Sequence, residues 1–200
     1  MKKKLSIYGC TGSIGDSTFK LFEKDNKKYK FYIFTGYKNF KKINHIIRKY
    51  KPVYFVIFDD NTYLKVKRKN KKNKVKILNK NDFNKSKFKK SDISILAIPG
   101  IAGLEPTLNA IKISKKVVIA NKESVICGWE LMNQLSIKHK VKILPIDSEH
   151  FSIMNLINKT EKNYIEKIYL TASGGPFLNY PLKKMKNIKP SQAINHPKWK

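Results

Sequence analysis

Asp147 and Glu149 stand two residues apart in Pro145-Ile146-Asp147-Ser148-Glu149-His150, just past the apolar run Val141 to Leu144. That run reads as a strand. Two carboxylates beyond a strand end can converge on one hard cation. Oxygen donors suit Mg²⁺ or Mn²⁺, with Co²⁺ a third candidate, and no Cys/His cluster suggests zinc. The same residues also fit a helix start, with Asp147 as N-cap and Ser148 and Glu149 in the first turn. His150 reads as a neighbour of the pair rather than a ligand.

A second chemical signal is the turn Gly9-Cys10-Thr11-Gly12-Ser13-Ile14-Gly15, which follows the short apolar run Leu5 to Tyr8. Glycines between a first strand and a helix let backbone N–H groups approach a pyrophosphate at a helix N-terminus that favours anions. The spacing Gly9, Gly12, Gly15 is not the G-x-G-x-x-G fingerprint, so an ordinary strand-to-helix turn also fits. Thr11, Gly12, Ser13 and Ile14 are the candidate cofactor contacts, with left-handed backbone expected at Gly12. An NAD-specific site carries an acid at the end of the second strand. Here no acid occurs between Asp25 and Asp59, and the second apolar run, Phe31 to Thr35, leads into Gly36-Tyr37-Lys38-Asn39. A cationic, acid-free corner suits the 2′-phosphate of NADPH, although lysine is common throughout this chain.

Three more blocks carry chemistry. Asn121-Lys122-Glu123-Ser124 follows a predicted strand, at the edge where open α/β sheets bind ligands, and Lys122 could stabilise a developing oxyanion or be one more solvated lysine. Ser173 lies in Ala172-Ser173-Gly174-Gly175-Pro176, where small residues let hydroxyl and backbone donors reach a phosphate; a plain glycine turn fits too. His196-Pro197-Lys198-Trp199 closes the chain.

In this order, from Leu5 to the last residue, the five blocks resemble the 1-deoxy-D-xylulose 5-phosphate reductoisomerase family. The resemblance implies an NADPH- and metal-dependent cytoplasmic enzyme of non-mevalonate isoprenoid precursor synthesis, acting on a sugar phosphate. It assigns Gly36, Lys38 and Asn39 to the cofactor corner, and Asn121 and Glu123 to the nicotinamide half. Asp147 and Glu149 become metal ligands. Lys122, Ser148, Glu149, Ser173 and His196 line the substrate, with Lys122, Asp147 and Glu149 catalytic. Trp199 would begin a flap that closes over the substrate and excludes water. Two departures stand out: Tyr37 replaces a small residue, and Lys198 replaces an Asn. Family members are about twice this long and are expected to be homodimers. A third carboxylate ligand, the rest of the phosphate site and a helical domain would lie beyond Lys200, so these 200 residues alone are expected to bind NADPH without turning over.

Composition bounds the alternatives. The net charge of +29 could mean a nucleic-acid or membrane partner. Yet of 43 basic residues all but Arg48 and Arg68 are lysine, and they are dispersed. Arginine is the residue that reads phosphates and bases bidentately, so the charge reads as the signature of an AT-rich genome. No nucleic-acid or membrane partner is expected, and no apolar run reaches the roughly 18 residues of a membrane span. Met1-Lys2-Lys3-Lys4-Leu5 resembles a signal peptide, but its apolar part is short and leads into the glycine turn, so it reads as a strand. Cys10 and Cys127 lack disulfide or CxxC spacing and are expected buried and reduced.

Six strands are predicted, the remaining ones at Val53 to Phe58, Ile93 to Ile98 and Val117 to Ala120, alternating with helices. Helical faces are expected at Ile14, Thr18, Leu21 and Phe22, and at Phe40, Ile43, Ile46, Ile47 and Tyr50. Lys65 to Lys76 reads as an exposed connection. The alternation predicts a Rossmann-like, doubly wound α/β sheet, mostly parallel, over residues 1–150. Residues 151–200 read as the start of an α+β catalytic domain, with a strand at Ile165 to Thr171. Other readings of the chain are a different NADP-dependent Rossmann dehydrogenase, a basic nucleic-acid-binding module and a non-catalytic cofactor-binding remnant.

Overall fold

The computed structural model describes residues 2–24, 26–169 and 175–195. The chain divides into two compact units, Met1–Asp147 and Ser148–Lys200. In the first, seven strands form one sheet: β1 (Lys3–Tyr8), β2 (Tyr29–Gly36), β3 (Tyr54–Ile57), β4 (Lys76–Leu78), β5 (Ile93–Leu96), β6 (Lys116–Ile119) and β7 (Lys142–Pro145). Their order is β4-β3-β2-β1-β5-β6-β7, and every pairing is parallel. This is the Rossmann-like α/β class that the alternation predicts. β1, the strand that begins beside the lysines at the N-terminus, lies between β2 and β5, so its loss would cut the sheet in two.

Parallel strands need helical crossovers, and these cover both faces. On one face Leu5, Ile7, Phe34, Phe55 and Ile57 pack with α1 (Ser13–Glu23), α2 (Phe40–Tyr50) and α3 (Asp60–Lys69) through Phe19, Ile43, Ile46, Ile47, Tyr63 and Val66. On the other, Tyr8, Ile33, Val56, Leu96 and Ile119 meet α4 (Lys80–Lys85), α5 (Leu104–Lys112) and α6 (Lys122–His139) through Phe83, Ala110, Ile111 and Met132. Each fully buried Ile or Phe among them contributes about 1.5–3 kcal/mol.

Several expectations change. β4 is a seventh strand, hidden in sequence because it is three residues long and follows a lysine tract. Residues 65–69 of the expected connection are the end of α3, which buries only Thr62, Tyr63 and Val66 and turns its lysines outward. α1 buries Gly15, Thr18 and Phe19, leaving Ile14 and Leu21 exposed. The face is rotated because Phe19 stacks on Tyr50 of α2 at 4.1 Å. Cys10 is buried as expected, but Cys127 is exposed. α6 buries Ser124, Gly128 and Met132, and position 127 falls off that face. The helix is kinked at Gly128 (φ −140°), where Leu104 of α5 occupies the space a Cβ would need.

The second unit begins with α7 (Ser148–Lys159) and contains the short α8 (Pro190–Ala193). Residues 165–169 are irregular rather than strand. A strand needs a hydrogen-bonded neighbour, and among the described residues none pairs with them. Among the described residues no helix is long and apolar enough to cross a membrane.

Candidate functional site at the carboxyl edge of the sheet

Because all strands are parallel, the loops after β1, β2, β3, β5, β6 and β7 emerge on one edge. The order reverses between β1 and β5, and that reversal opens the crevice in which such sheets take ligands. The glycine turn sits there. Gly9 adopts φ +79°, and a Cβ on it would approach the Ala97 carbonyl oxygen at the end of β5 to 2.8 Å. Thr35 of β2 pins the turn: its hydroxyl accepts from the Gly9 amide at 2.8 Å, and its carbonyl from the Cys10 amide at 3.0 Å. A Cβ on Gly15 would run into the Cys10 carbonyl, so the helix rises tightly over the turn.

Gly12 is the N-cap of α1. Its backbone is extended (φ −86°, ψ 178°), so the left-handed residue is Gly9, not Gly12 as expected. What Gly12 supplies is space: a Cβ there would meet only the Gly9 carbonyl oxygen, at 3.5 Å. No side chain caps α1. By contrast, Asn39 caps α2, Asp59 caps α3 and Asn121 caps α6. α5 lacks a side-chain cap too, but the Leu104 amide donates to the Ile101 carbonyl and Pro106 has no N–H, so the amides that open α1, at Ser13 and Ile14, are the fuller set this edge offers an anion.

At the end of β2, Gly36 is buried, and its Cβ would lie 3.2 Å from both Thr11 Cγ2 and Ile43 Cγ1. Its absent side chain lets the turn lie against β2. Tyr37 and Lys38 are exposed, with the Lys38 ammonium 5.1 Å from the Tyr37 ring centre. The Asn39 carboxamide accepts from the Lys42 amide at 3.0 Å, and Lys42 pairs with Asp16 of α1 at 2.6 Å. The first acid after this corner, Asp59, accepts hydrogen bonds from the Thr62 hydroxyl (2.7 Å) and amide (2.9 Å). The Thr62 hydrogen bonds, with the Lys38 and Lys65 charges, hold its carboxyl below the usual carboxylate range. That acid is committed to a helix start.

After β6, Asn121 is 4% exposed. Its oxygen accepts from the Ser124 amide at 2.8 Å, and its nitrogen donates to the carbonyls of Ile98 and Gly100. Lys122 and Glu123 stand exposed in the first turn of α6. β7 ends at Pro145, the Ile146 amide donates to the Ile119 carbonyl at 3.0 Å, and Asp147 closes the first unit. In the second unit Glu149 lies in the first turn of α7 and accepts from the Ser148 hydroxyl at 3.0 Å. Asp147 and Glu149 are half-buried, while Ser148 and His150 are exposed. Two carboxylates are donors that Mg²⁺ and Mn²⁺ take, and Mg²⁺ is commonly held by one or two carboxylates with water and substrate oxygens completing its shell. The donor set fits such an ion, although among the described residues no group of three or more His, Cys, Asp or Glu gathers. Ser173, His196, Lys198 and Trp199 lie outside the described residues.

Cys10, beneath the turn, is no nucleophile: burial pushes its thiol well up. Thr35 and Gly103 were not singled out from the sequence. Thr35 gives no signal beyond its place at a strand end. Gly103 follows Pro99-Gly100, and a third small residue there marks a close approach, since a Cβ on it would collide with the Asn121 amide.

The family model described as 1-deoxy-D-xylulose 5-phosphate reductoisomerase matches residues 5–128, and that of the same enzyme's C-terminal domain matches residues 143–200. The 1-deoxy-D-xylulose 5-phosphate reductoisomerase of Pelagibacter ubique is 44% identical over 98% of this chain and 52% of its own length. Among solved structures, the Zymomonas mobilis enzyme in complex with NADPH is 32% identical with a TM-score of 0.80, covering 98% of this chain and 52% of that one. A DOX-P reductoisomerase in complex with NADPH, fosmidomycin and magnesium is also 32% identical, with a TM-score of 0.73 and the same coverage. The chain spans about half the length of the curated relatives it matches.

Proposed function

This chain belongs to the 1-deoxy-D-xylulose 5-phosphate reductoisomerase family, and from that premise we propose that it carries the NADPH-binding domain (residues 1–150) and the start of the catalytic domain (residues 151–200) of an enzyme that converts 1-deoxy-D-xylulose 5-phosphate to 2-C-methyl-D-erythritol 4-phosphate. The observation that carries the reading is the start of α1 at the switch point, without a side-chain cap and with space at Gly12, beside a β2 corner that carries Lys38. Structural neighbours bound to NADPH and to magnesium support both cofactors.

Each residue then has a task. The backbone amides of Thr11, Ser13 and Ile14 receive the pyrophosphate, and Gly12, whose own amide donates to the Gly9 carbonyl at 3.1 Å, leaves room for it. Lys38, beside Gly36 and Asn39, neutralises the 2′-phosphate. Lys122 and Glu123 stand in the half of the edge that faces the nicotinamide. Asp147 and Glu149 hold Mg²⁺ or Mn²⁺. When bound, the metal supplies Lewis-acid polarisation of the substrate carbonyl and adjacent hydroxyl for the skeletal rearrangement, and NADPH supplies the hydride for the reduction. The Lys122 ammonium offsets negative charge that develops on substrate oxygen. Ser148, Ser173 and His196 orient the sugar phosphate. The same reading places the full-length enzyme in the cytoplasm as a homodimer in isoprenoid precursor synthesis, with no nucleic-acid or membrane partner.

The test is turnover by the full-length protein that contains this chain. With 1-deoxy-D-xylulose 5-phosphate and Mn²⁺ or Mg²⁺, NADPH should be oxidised, and chelation of the metal should stop it. Substrate-independent oxidation, or none, refutes the assignment. Turnover of another substrate that survives chelation favours a different NADP-dependent dehydrogenase.

A further inference from the structure

We propose that a cleft at the amino edge of the sheet is a second anion site, one that takes a compact polyphosphate chain; it goes beyond the reductoisomerase reading and does not depend on it. The cleft, of about 910 Å³, lies between the ends of α2 and α3, the first residues of β2 and the loops that lead into β3 and β4. Its lining holds Lys30, Arg48, Lys51, Lys69, Lys72 and Lys74 and no acid. Elsewhere in this unit several lysines meet carboxylates: Lys42 pairs with Asp16, Lys49 with Glu23, Lys80 with Glu105 and Lys115 with Asp92. Among the described residues none of the six cleft cations has such a partner. The ends of α2 and α3 each bring about −0.5 of dipole charge, which offsets only about one of the six.

These cations sit on a built frame. Arg48 is one of two arginines among 43 basic residues. Its Nε donates to the Asn44 carbonyl at 3.3 Å, and the terminal N–H groups of the fork remain for a phosphate. Asn44 is 3% exposed, and its side-chain oxygen accepts from Asn70 Nδ2 at 2.7 Å, which ties the end of α2 to the end of α3. The Asn73 side-chain oxygen accepts the Val75 amide at 3.2 Å, so its amide nitrogen keeps its own donors. No aromatic ring lines the cleft, so nothing there stacks a base, unlike a groove for single-stranded nucleic acid. Water screens each cation against a single charge. An anion with several charges close together meets several cations at once and relieves their mutual repulsion. Linked phosphates have that form.

Calorimetric titration of the 200-residue chain with tripolyphosphate at fixed salt, with and without excess NADPH, tests the site. Tripolyphosphate should bind in both conditions, and inorganic phosphate at least about tenfold more weakly. Lys72→Glu combined with Lys74→Glu should weaken tripolyphosphate by more than about tenfold. Arg48→Lys, which keeps the charge and loses the fork, should weaken it about fivefold. Lys112→Glu combined with Lys138→Glu changes the formal charge equally on helices of the opposite face, and should matter less than about twofold. All four lysines are exposed, so these variants should fold. Displacement of tripolyphosphate by NADPH would move the anion to the carboxyl edge. Equal losses from the two double variants, or none in Arg48→Lys, would reduce the cleft to diffuse charge. Tighter binding of a DNA duplex than of tripolyphosphate would make it a nucleic-acid face. Each of these results, or no binding of tripolyphosphate, overturns the proposal.

Discussion

At the amino edge of the sheet, Lys30, Arg48, Lys51, Lys69, Lys72 and Lys74 surround a cleft of about 910 Å³ with no acid in its lining. At the carboxyl edge, the turn after β1 presents glycines and backbone amides and few full charges. Formal charge would send an anion to the first edge, whereas the function proposed above takes it to the second. α2 and α3 end at the amino edge, at Lys51 and Asn70. Cations there answer the negative ends of helix dipoles and the unpaired carbonyls of the last turns. At the opposite edge helices begin, and α1 begins without a side-chain cap. On the proposed reading, oriented backbone donors, which need no rearrangement, hold the pyrophosphate there, and one placed lysine, Lys38, meets the 2′-phosphate; the many ammonium groups of the other edge are screened by water.

The comparison can be broken most severely at the metal. In the full-length enzyme, Asp147→Asn or Glu149→Gln should cut turnover by orders of magnitude while leaving NADPH affinity nearly intact, because neutral amides hold Mg²⁺ and Mn²⁺ poorly. Steady-state kinetics at limiting metal check this, and near-normal turnover removes the residue from the ligand set. Next in size is Gly12→Val. A Cβ there meets nothing closer than the Gly9 carbonyl oxygen at 3.5 Å and the backbone is not left-handed, so folding should lose only about 1 kcal/mol from a poorer N-cap. NADPH should bind about a hundredfold more weakly as the branched carbon meets the pyrophosphate. An unchanged dissociation constant would refute the turn's role.

The smallest effects separate the two edges directly. Lys38→Ala should weaken NADPH about tenfold, the scale of one charge-assisted contact, and leave NADH alone. Lys72→Glu, which reverses a charge in the amino-edge cleft, should change neither by more than about twofold, as distant surface charges are screened. A larger effect from Lys72 than from Lys38 would mean that bulk charge, not the built corner, drives binding.

Much of this was legible in the sequence. Strands β1, β2, β3, β5, β6 and β7 are apolar runs bounded by turn residues, and buried parallel strands carry that signature. β4 was not, because three residues beside a lysine tract have no period to read. The glycine turn was legible as a turn, but which glycine needs positive φ was not: Gly9 needs it because β5 lies against it, a contact between residues 88 positions apart in the chain. Likewise Asn121 reads as polar and available, and only the fold shows its amide spent on Ile98 and Gly100. The irregular stretch 165–169 has strand composition but no partner among the described residues, and pairing is not a local property.

The most direct test of the account is calorimetric titration of the 200-residue chain with NADPH and with NADH. The account predicts saturable binding with NADPH preferred, since β2 ends without an acid and with Lys38 beside the turn. Equal affinity for the two cofactors, tighter NADH, or no binding of either would contradict it.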